Sequence, residues 1–329
     1  MTKKLFIGID TSNYTTSVAI CDKCGNILTN LKRLLPVKEG ERGLRQSEAV
    51  FAHVKNFPIV AEKLNEFLSS LPYDAEYSAI AVSATPRDAE GSYMPCFLVG
   101  VALAEMLSVV LRIPLYKTSH QVGHILAAAS SAVSGDKNAL DEILAEEHFA
   151  LHVSGGTTDL LLVTPDSKKI VSIERIGGSS DANAGQIIDR TGVRLGFPFP
   201  CGPYIDEAAV RFGGKAKGVA VSVKGLECNM SGLENKALKL IEEEKSVEEV
   251  SIYVLEFVAK SIEKMLSNAF EVYGKKKVVF AGGVMSSRYI NNRLSHIGLF
   301  SEPQYSADNA SGVAIAASIL FGKDGDQKE

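Results

Sequence analysis

Leu5-Phe6-Ile7-Gly8-Ile9 leads into Asp10-Thr11-Ser12-Asn13-Tyr14-Thr15-Thr16, then Ser17–Cys21, a turn at Asp22–Gly25 and Asn26–Leu31. Apolar and β-branched residues fill the outer runs and small polar residues fill the connection, so the stretch reads strand, hairpin, strand, turn, strand. The pattern returns about half a chain later. Ala150–Val153 runs into Ser154-Gly155-Gly156-Thr157-Thr158-Asp159, followed by Leu160–Val163, a turn at Pro165–Lys168 and Lys169–Ile173. A tight hairpin of Gly, Ser and Thr exposes backbone N–H groups and hydroxyls, which suit phosphate oxygens. Either hairpin alone reads equally well as an ordinary turn. As a pair they predict two similar domains facing each other across a nucleotide.

The length of 329 residues suits two domains, each able to bury its own core. A formal net charge of -4 argues against strong independent nucleic-acid binding, which usually needs a basic face. Met1-Thr2-Lys3-Lys4 leads directly into a strand and leaves no room for a signal peptide. No apolar run approaches the ~20 residues that cross a bilayer, and Glu105 interrupts the richest stretch, Val99–Val110. The expectation is a cytoplasmic protein with no membrane partner. Five cysteines argue against a disulfide framework. Cys21 and Cys24 form a CxxC, but they flank a hairpin turn and lack the second ligand pair of a zinc site.

Strands alternate with helices along the chain, which indicates α/β layers. Helical periodicity covers Phe51–Leu71, where Pro58 is expected to break the helix in two. A short strand at Ala79–Ser83 precedes a loop over Ala84–Pro95, a helix over Phe97–Leu111 and a strand at Leu115–Lys117. Ser119 caps a helix running to about Ala128. Few packing signals occur in Ser130–Glu147, which places the boundary between a first domain, 1–135, and a second, 136–329. Beyond the second hairpin, Ser180 is expected to cap a helix over Asp181–Leu195. Further helices are expected at Gly202–Phe212, Gly232–Glu243 and Val247–Tyr273, with a buried strand at Lys277–Ala281. Closing helices at Ser286–Leu294 and Ala310–Phe321 precede a frayed tail, Gly322–Glu329.

Three constellations carry chemistry. His120 and His124 stand one helical turn apart on one face, where two imidazoles can share a divalent metal. The same spacing serves one exposed and one hydrogen-bonded histidine. Gln121 occupies the position of the general base in HExxH metalloproteases and cannot take a proton, which disfavours a protease. Asp308 is the best third ligand, and two His with one carboxylate suit Fe or Zn, although an Asp there also reads as a helix N-cap. Second, Phe280-Ala281-Gly282-Gly283-Val284 is a strand entering paired glycines, against which an adenine or ribose can lie; a diglycine after a strand is also a common turn. Third, Asp189, Gly202 and Asp206 form a polar set on consecutive helices. Its carboxylates can accept from ribose hydroxyls or simply face solvent.

Together these motifs resemble the universal tRNA threonylcarbamoyladenosine synthase family, formerly called O-sialoglycoprotein endopeptidases. The resemblance rests on the hairpin after Gly8-Ile9, His120–His124, Val153–Thr157, Asp181–Arg190, Gly202-Pro203, Asn229-Met230-Ser231-Gly232-Leu233, Ala281–Val284 and Asp308-Asn309. It implies the duplicated actin-like ATPase fold of sugar kinases, heat-shock chaperones and actin, with two domains around a nucleotide cleft. It implies Fe or Zn on His120, His124 and Asp308, and nucleotide phosphates on Val153, Ser154, Gly155, Gly156 and Thr157. Asp189, Gly202 and Asp206 would hold the ribose. The family reaction moves a threonylcarbamoyl group from its adenylate to the exocyclic amine of an adenosine in tRNA, with accessory proteins.

Departures from the family pattern point to a paralogue. Tyr14, followed by Thr15, replaces an acidic residue important for transfer, and a phenol does not substitute near neutral pH. Thr157 stands where bacterial members usually carry His, and Ser287 where an Asn usually contacts the nucleotide. Ala84–Pro95 is longer than the family's glycine-rich loop. The expectation is therefore a metal-dependent carbamoyl-type transferase binding ATP or an acyl-adenylate, with the acceptor side altered. Its alternative is a nucleotide-binding paralogue serving as a partner subunit, in a homo- or hetero-oligomer. A small-molecule kinase with Mg, using Asp10 or Asp159 as base, is the third reading.

Overall fold

The computed structural model describes residues 2–12, 14–36, 44–305 and 310–326. Its first half contains β1 (Lys3–Thr11), β2 (Thr15–Asp22), β3 (Ile27–Leu34), α1 (Gln46–Ser69), β4 (Ala75–Thr85), α2 (Phe97–Leu111), β5 (Leu115–Ser119), α3 (His120–Ala132) and α4 (Lys137–Leu144). From Leu5 onward β1 is buried without interruption, as an apolar run is at the centre of a covered sheet. It pairs antiparallel with β2 and parallel with β4, and the order is β3-β2-β1-β4-β5. Leu5, Ile7, Ile9, Val18, Ile20, Ile80 and Val82 form the core of this half with Val60 and Ala104.

The second half follows with β6 (His148–Val153), β7 (Thr158–Asp166), β8 (Ile170–Ser179), α5 (Ala184–Arg194), α6 (Gly202–Phe212), β9 (Ser222–Lys224), β10 (Glu227–Asn229), α7 (Ser231–Glu242), α8 (Val247–Tyr273), β11 (Val278–Ala281), α9 (Arg288–Leu294), β12 (Leu299–Phe300) and α10 (Ser311–Asp326). Its sheet runs β12-β11-β6-β7-β8-β10-β9. Read backwards from β8, that order is β8-β7-β6-β11-β12, which repeats β3-β2-β1-β4-β5 place by place. The pairings agree as well. β6 is antiparallel to β7 and parallel to β11, as β1 is to β2 and β4. The duplication in the sequence is thus a duplication of topology. The short β9 and β10 extend the second sheet beyond it, with β10 parallel to β8.

The chain folds into two compact units, the first Met1–Ala145, Pro165–Ser172 and Ala307–Glu329, the second Glu146–Thr164 and Ile173–Ser306. Helices α4 and α10 therefore group with the first unit, whereas a cut after residue 135 assigns both to the second domain. α10 belongs there because its small residues meet β1 and α3 backbone to backbone. A Cβ built on Gly8 would lie 2.3 Å from the Ala314 amide nitrogen. In the second unit, α8 buries Val254, Val258, Ile262 and Met265 in a core shared with Phe149, Leu151 and Phe280. Ser246 and Glu249 close a capping box at its start.

Four local expectations are corrected. α1 continues through Pro58 as one helix, because Ala49, Ala52, His53, Asn56 and Val60 are buried on both sides of the proline. Packing there outweighs the lost amide. The stretch expected to lack packing signals holds the end of α3 and all of α4, which buries Leu140, Ile143 and Leu144. α5 begins at Ala184, not at Asp181, and Ser180 instead donates to Asn229 Oδ1 at 2.6 Å. Helix also extends through Gly322 to Asp326, the first part of the expected frayed tail, whose last three residues, 327–329, lie outside the described residues.

Asp181 does a different job from the one expected of it. Its Oδ1 accepts from the Met230 and Ala182 amides at 2.7 Å, and its Oδ2 accepts from the Ser231 hydroxyl at 2.6 Å and the Ser231 amide at 3.1 Å. It thereby caps α7 from a distant loop. Partial burial works to raise its carboxyl, but these donors outweigh it and hold the group at about 2. A folded-state value below the unfolded one contributes stability above the unfolded pKa and loses it as pH falls toward the folded value. Asp181→Asn is expected to lower stability at pH 7 by roughly 1 kcal/mol, allowing for solvent screening at an exposed carboxylate. Denaturant unfolding from pH 7 downward should show the gap closing between about pH 4 and pH 2.

No helix among the described residues is long and apolar enough to cross a membrane. All five cysteines are free; Cys21 lies near the end of β2 and Cys24 within the hairpin turn that follows.

Candidate nucleotide pocket and histidine pair

Within the second unit, the ends of β6 and β11 and the starts of α5, α6 and α9 surround a cavity of about 620 Å³. Gly155, Asp189, Gly202, Asp206, Gly283 and Ser287 all line it, although they come from widely spaced parts of the chain. Ile188, Leu255 and Val284 supply apolar wall. Of the remaining residues singled out for a nucleotide, Val153 is fully buried at the end of β6. Ser154 and Thr157 close the hairpin through the Ser154 amide, which donates to the Thr157 carbonyl at 2.8 Å. Gly155 and Gly156 form an exposed tip, and a Cβ on either would meet nothing within 4 Å. Gly282 holds a backbone conformation at φ +97° that favours glycine, and its Cβ would strike the Val153 carbonyl at 2.3 Å. It joins β11 to β6 rather than lining the pocket.

Both carboxylates of the pocket are already fixed by protein donors. Asp189 Oδ1 accepts from the Cys201 amide at 2.8 Å, so it also caps α6. Burial pushes its carboxyl up, and the amides of Cys201 and Gly202 act in the opposite direction. Asp206 is buried and accepts from Ser287 Oγ at 2.6 Å, Arg288 Nε at 2.8 Å and the Tyr289 amide at 3.0 Å. This ties α6 to the start of α9, where Ser287 is also the N-cap. Arg288 and Gly185 were missed. Arg288 enters through its pairing with an Asp 82 positions away, which no local pattern reveals. Gly185 had a signal in its small side chain at a helix start, since a Cβ there would lie 2.7 Å from both the Gly155 amide nitrogen and the Ser154 carbonyl oxygen.

The first hairpin is not a second copy of this site. Asp10, Thr11, Ser12, Thr15 and Thr16 are all buried. Thr11 Oγ1 donates to the Cys96 carbonyl and accepts from the Gly100 amide, while Thr16 Oγ1 meets His53 Nδ1 at 2.8 Å and accepts from Asn56 Nδ2. The Thr11 and Thr16 hydroxyls are spent on the fold of the first unit. Tyr14 is exposed.

Beside that hairpin lies the histidine pair. Ser119 Oγ accepts from the Val122 amide and caps α3, so His120 and His124 project from its first turns. Their Nε2 atoms converge to 3.0 Å, and His120 Nδ1 is 2.8 Å from Asp10 Oδ1. Two nitrogens bound at about 2.1 Å to one ion stand roughly 3.0–3.4 Å apart, so the pair fits a shared metal. Imidazole donors suit Fe and Zn alike. Asp308 lies outside the described residues. Among the described residues no group of three His, Cys, Asp or Glu side chains is arranged to hold a metal. Ser119→Ala removes the cap and is expected to cost about 1 kcal/mol, read as a lower denaturation midpoint.

The two carboxylates considered for phosphoryl transfer are both engaged. Asp10 holds His120, and Asp159 Oδ1 accepts from Arg175 Nε at 2.8 Å.

Sequence comparison decides the family. The model of the tRNA N6-adenosine threonylcarbamoyltransferases matches residues 36–315. The chain belongs to that family. A threonylcarbamoyltransferase of Bacillus licheniformis is 29% identical over 343 residues, covering 98% of this chain and 93% of that protein. One from Thermofilum pendens is 25% identical, covering 96% and 88%. A Thermoplasma volcanium relative named "Probable bifunctional tRNA threonylcarbamoyladenosine biosynthesis protein" is 26% identical over 96% of this chain, which spans 56% of that longer protein. Such low identities accord with a divergent paralogue of the threonylcarbamoyltransferases. Among solved structures, full-length HypF in its phosphate- and nucleotide-bound form aligns with 98% of this chain and 47% of its own at a TM-score of 0.60 and 11% identity. The Acidaminococcus fermentans (R)-2-hydroxyglutaryl-CoA dehydratase component A aligns with 98% and 100% at 0.51 and 13%. These likenesses establish the fold, which is the actin-like ATPase fold.

Proposed function

We propose that this threonylcarbamoyltransferase-family chain is a metal-dependent carbamoyl-type transferase that binds ATP or an acyl-adenylate in the pocket of its second unit. The observation that supports this most is the convergence of Gly155, Asp189, Gly202, Asp206, Gly283 and Ser287, from widely spaced parts of the chain, on one cavity of about 620 Å³, a size that suits a nucleotide. Ile188, Leu255 and Val284 offer the adenine an apolar surface, and Asp189 and Asp206 accept from ribose hydroxyls. The open tip at Gly155 and Gly156, framed by Val153, Ser154 and Thr157, takes the phosphates through backbone N–H groups.

His120 and His124, with Asp308, hold a divalent ion, Fe or Zn. When bound, it would supply Lewis acidity, which polarises a carbonyl group. In the proposed reaction the exocyclic amine of an adenosine attacks the carbamoyl carbon and a C–N bond forms. The bond from that carbon to the phosphate oxygen breaks, AMP leaves with the electron pair, and the amine gives up one proton. An adenosine in tRNA, presented with accessory proteins, is the acceptor expected of the family.

Tyr14 favours a second reading. With Tyr14 and Thr15 in the first hairpin, no carboxylate stands at either of those two positions to orient the amine, so the chain acts on another acceptor or serves as a nucleotide-binding partner subunit.

The test supplies threonylcarbamoyl-adenylate and unmodified tRNA to purified protein, with and without the accessory proteins, and measures both adenylate binding and the modified nucleoside. Transfer that fails in His120→Ala and His124→Ala, together with loss of Fe or Zn by elemental analysis, supports the first reading. Tight adenylate binding without transfer supports the second. Absence of adenylate binding overturns both.

A further inference from the structure

We infer that Asp10 is a positioning residue for the proposed metal site, setting the tautomer and aim of His120 and through them the affinity of the His120–His124 pair for a divalent ion. The inference rests on the metal reading above. Asp10 lies near the end of β1, the central strand of the first unit, and its side chain is fully buried. Its two oxygens have separate tasks. Oδ2 accepts from the Ser12 amide at 3.3 Å, which anchors the carboxylate to the hairpin backbone. Oδ1 faces His120 Nδ1 at 2.8 Å. The Asp10 carbonyl also accepts from Ser17 Oγ across the hairpin, so the strand beneath the carboxylate is fixed too.

A neutral imidazole carries one proton on one of two nitrogens, and an ionised carboxylate can only accept. Facing Asp10, His120 therefore carries its proton on Nδ1, which leaves the lone pair on Nε2. That nitrogen is the one 3.0 Å from His124 Nε2. His124 Nε2 can donate to it, or both can turn lone pairs onto one ion. A carboxylate behind a ligating histidine also makes the imidazole a stronger donor. Nothing local announces this arrangement, because Asp10 and His120 are 110 positions apart.

The experiment uses the full chain, stripped of metal by a chelator. Co²⁺ is titrated in and followed by its d–d absorption and by calorimetry, for wild type, Asp10→Asn and His124→Ala. Wild type is expected to take up one Co²⁺, His124→Ala to lose it, and Asp10→Asn to bind about 10–100-fold more weakly. Unchanged Co²⁺ affinity in a folded Asp10→Asn protein overturns the inference while leaving the metal reading intact. No Co²⁺ binding by wild type overturns the metal reading and this inference with it. A second measurement needs no variant. Nitrogen-15 spectra of metal-free wild type with labelled histidine, at a pH where the rings are neutral, should show His120 protonated at Nδ1. Protonation at Nε2 overturns the proposal.

Discussion

Gly283→Phe is expected to weaken ATP and AMP binding about 100-fold, or roughly 2.7 kcal/mol, with little change in melting temperature. Gly283 lines the pocket, yet a Cβ built on it meets nothing within 4 Å and its φ lies outside the left-handed region. A larger side chain is thus admitted without backbone strain, and the open space it enters is the cavity itself. That separates occlusion from unfolding. Its neighbour gives the contrasting case, since any Cβ on Gly282 strikes the Val153 carbonyl and would damage the junction of β11 with β6. Calorimetric titration with AMP checks the prediction. Undiminished affinity in a folded Gly283→Phe protein would place the nucleotide elsewhere.

Gly312→Ala should be the most destabilising single methyl in the first unit. A Cβ at Gly312 would sit 1.8 Å from the Gly123 carbonyl oxygen and 2.7 Å from the Ala127 amide nitrogen, both backbone atoms of α3. No rotamer relieves such a clash, so α10 must move away from α3. A loss of about 3–5 kcal/mol is expected, or failure to accumulate folded protein. Gly322→Ala on the same helix is the matched control. Its Cβ meets nothing within 4 Å, and the change should stabilise by up to about 1 kcal/mol. Urea unfolding of the two variants tests both signs. Because α3 carries His120 and His124, a displaced α10 should also weaken Co²⁺ binding.

Much of the architecture was legible because the signals that set it are local. Phe97–Leu111, Gly202–Phe212 and Val247–Tyr273 appear with the bounds read from periodicity, caps and breakers. The strand-hairpin-strand duplication was visible for the same reason, since alternation and turn residues act over a few positions. What escaped depends on distance. Pro58 reads as a helix break until the burial around it is known, and Asp181 reads as a first-turn acid until the α7 amides arrive 49 and 50 positions later. In the candidate site, residue types were legible and their engagement was not. Asp189 and Asp206 read as free acceptors but also hold Cys201, Ser287 and Arg288. The first hairpin read like the second, yet its hydroxyls turn inward because α1 and α2 cover it.

The return of α10 to β1 and α3 also sets the order in which the chain can mature during synthesis. As the ribosome releases it, β1 through α3 emerge before the second unit, while Val313, Ala314, Ile315 and Ala317, fully or almost fully buried in the folded first unit, leave the tunnel after it. The whole second unit is translated in between. A nascent chain stalled before Ser311 has an apolar trough along β1 with nothing to fill it, the kind of surface that trigger-type chaperones shield.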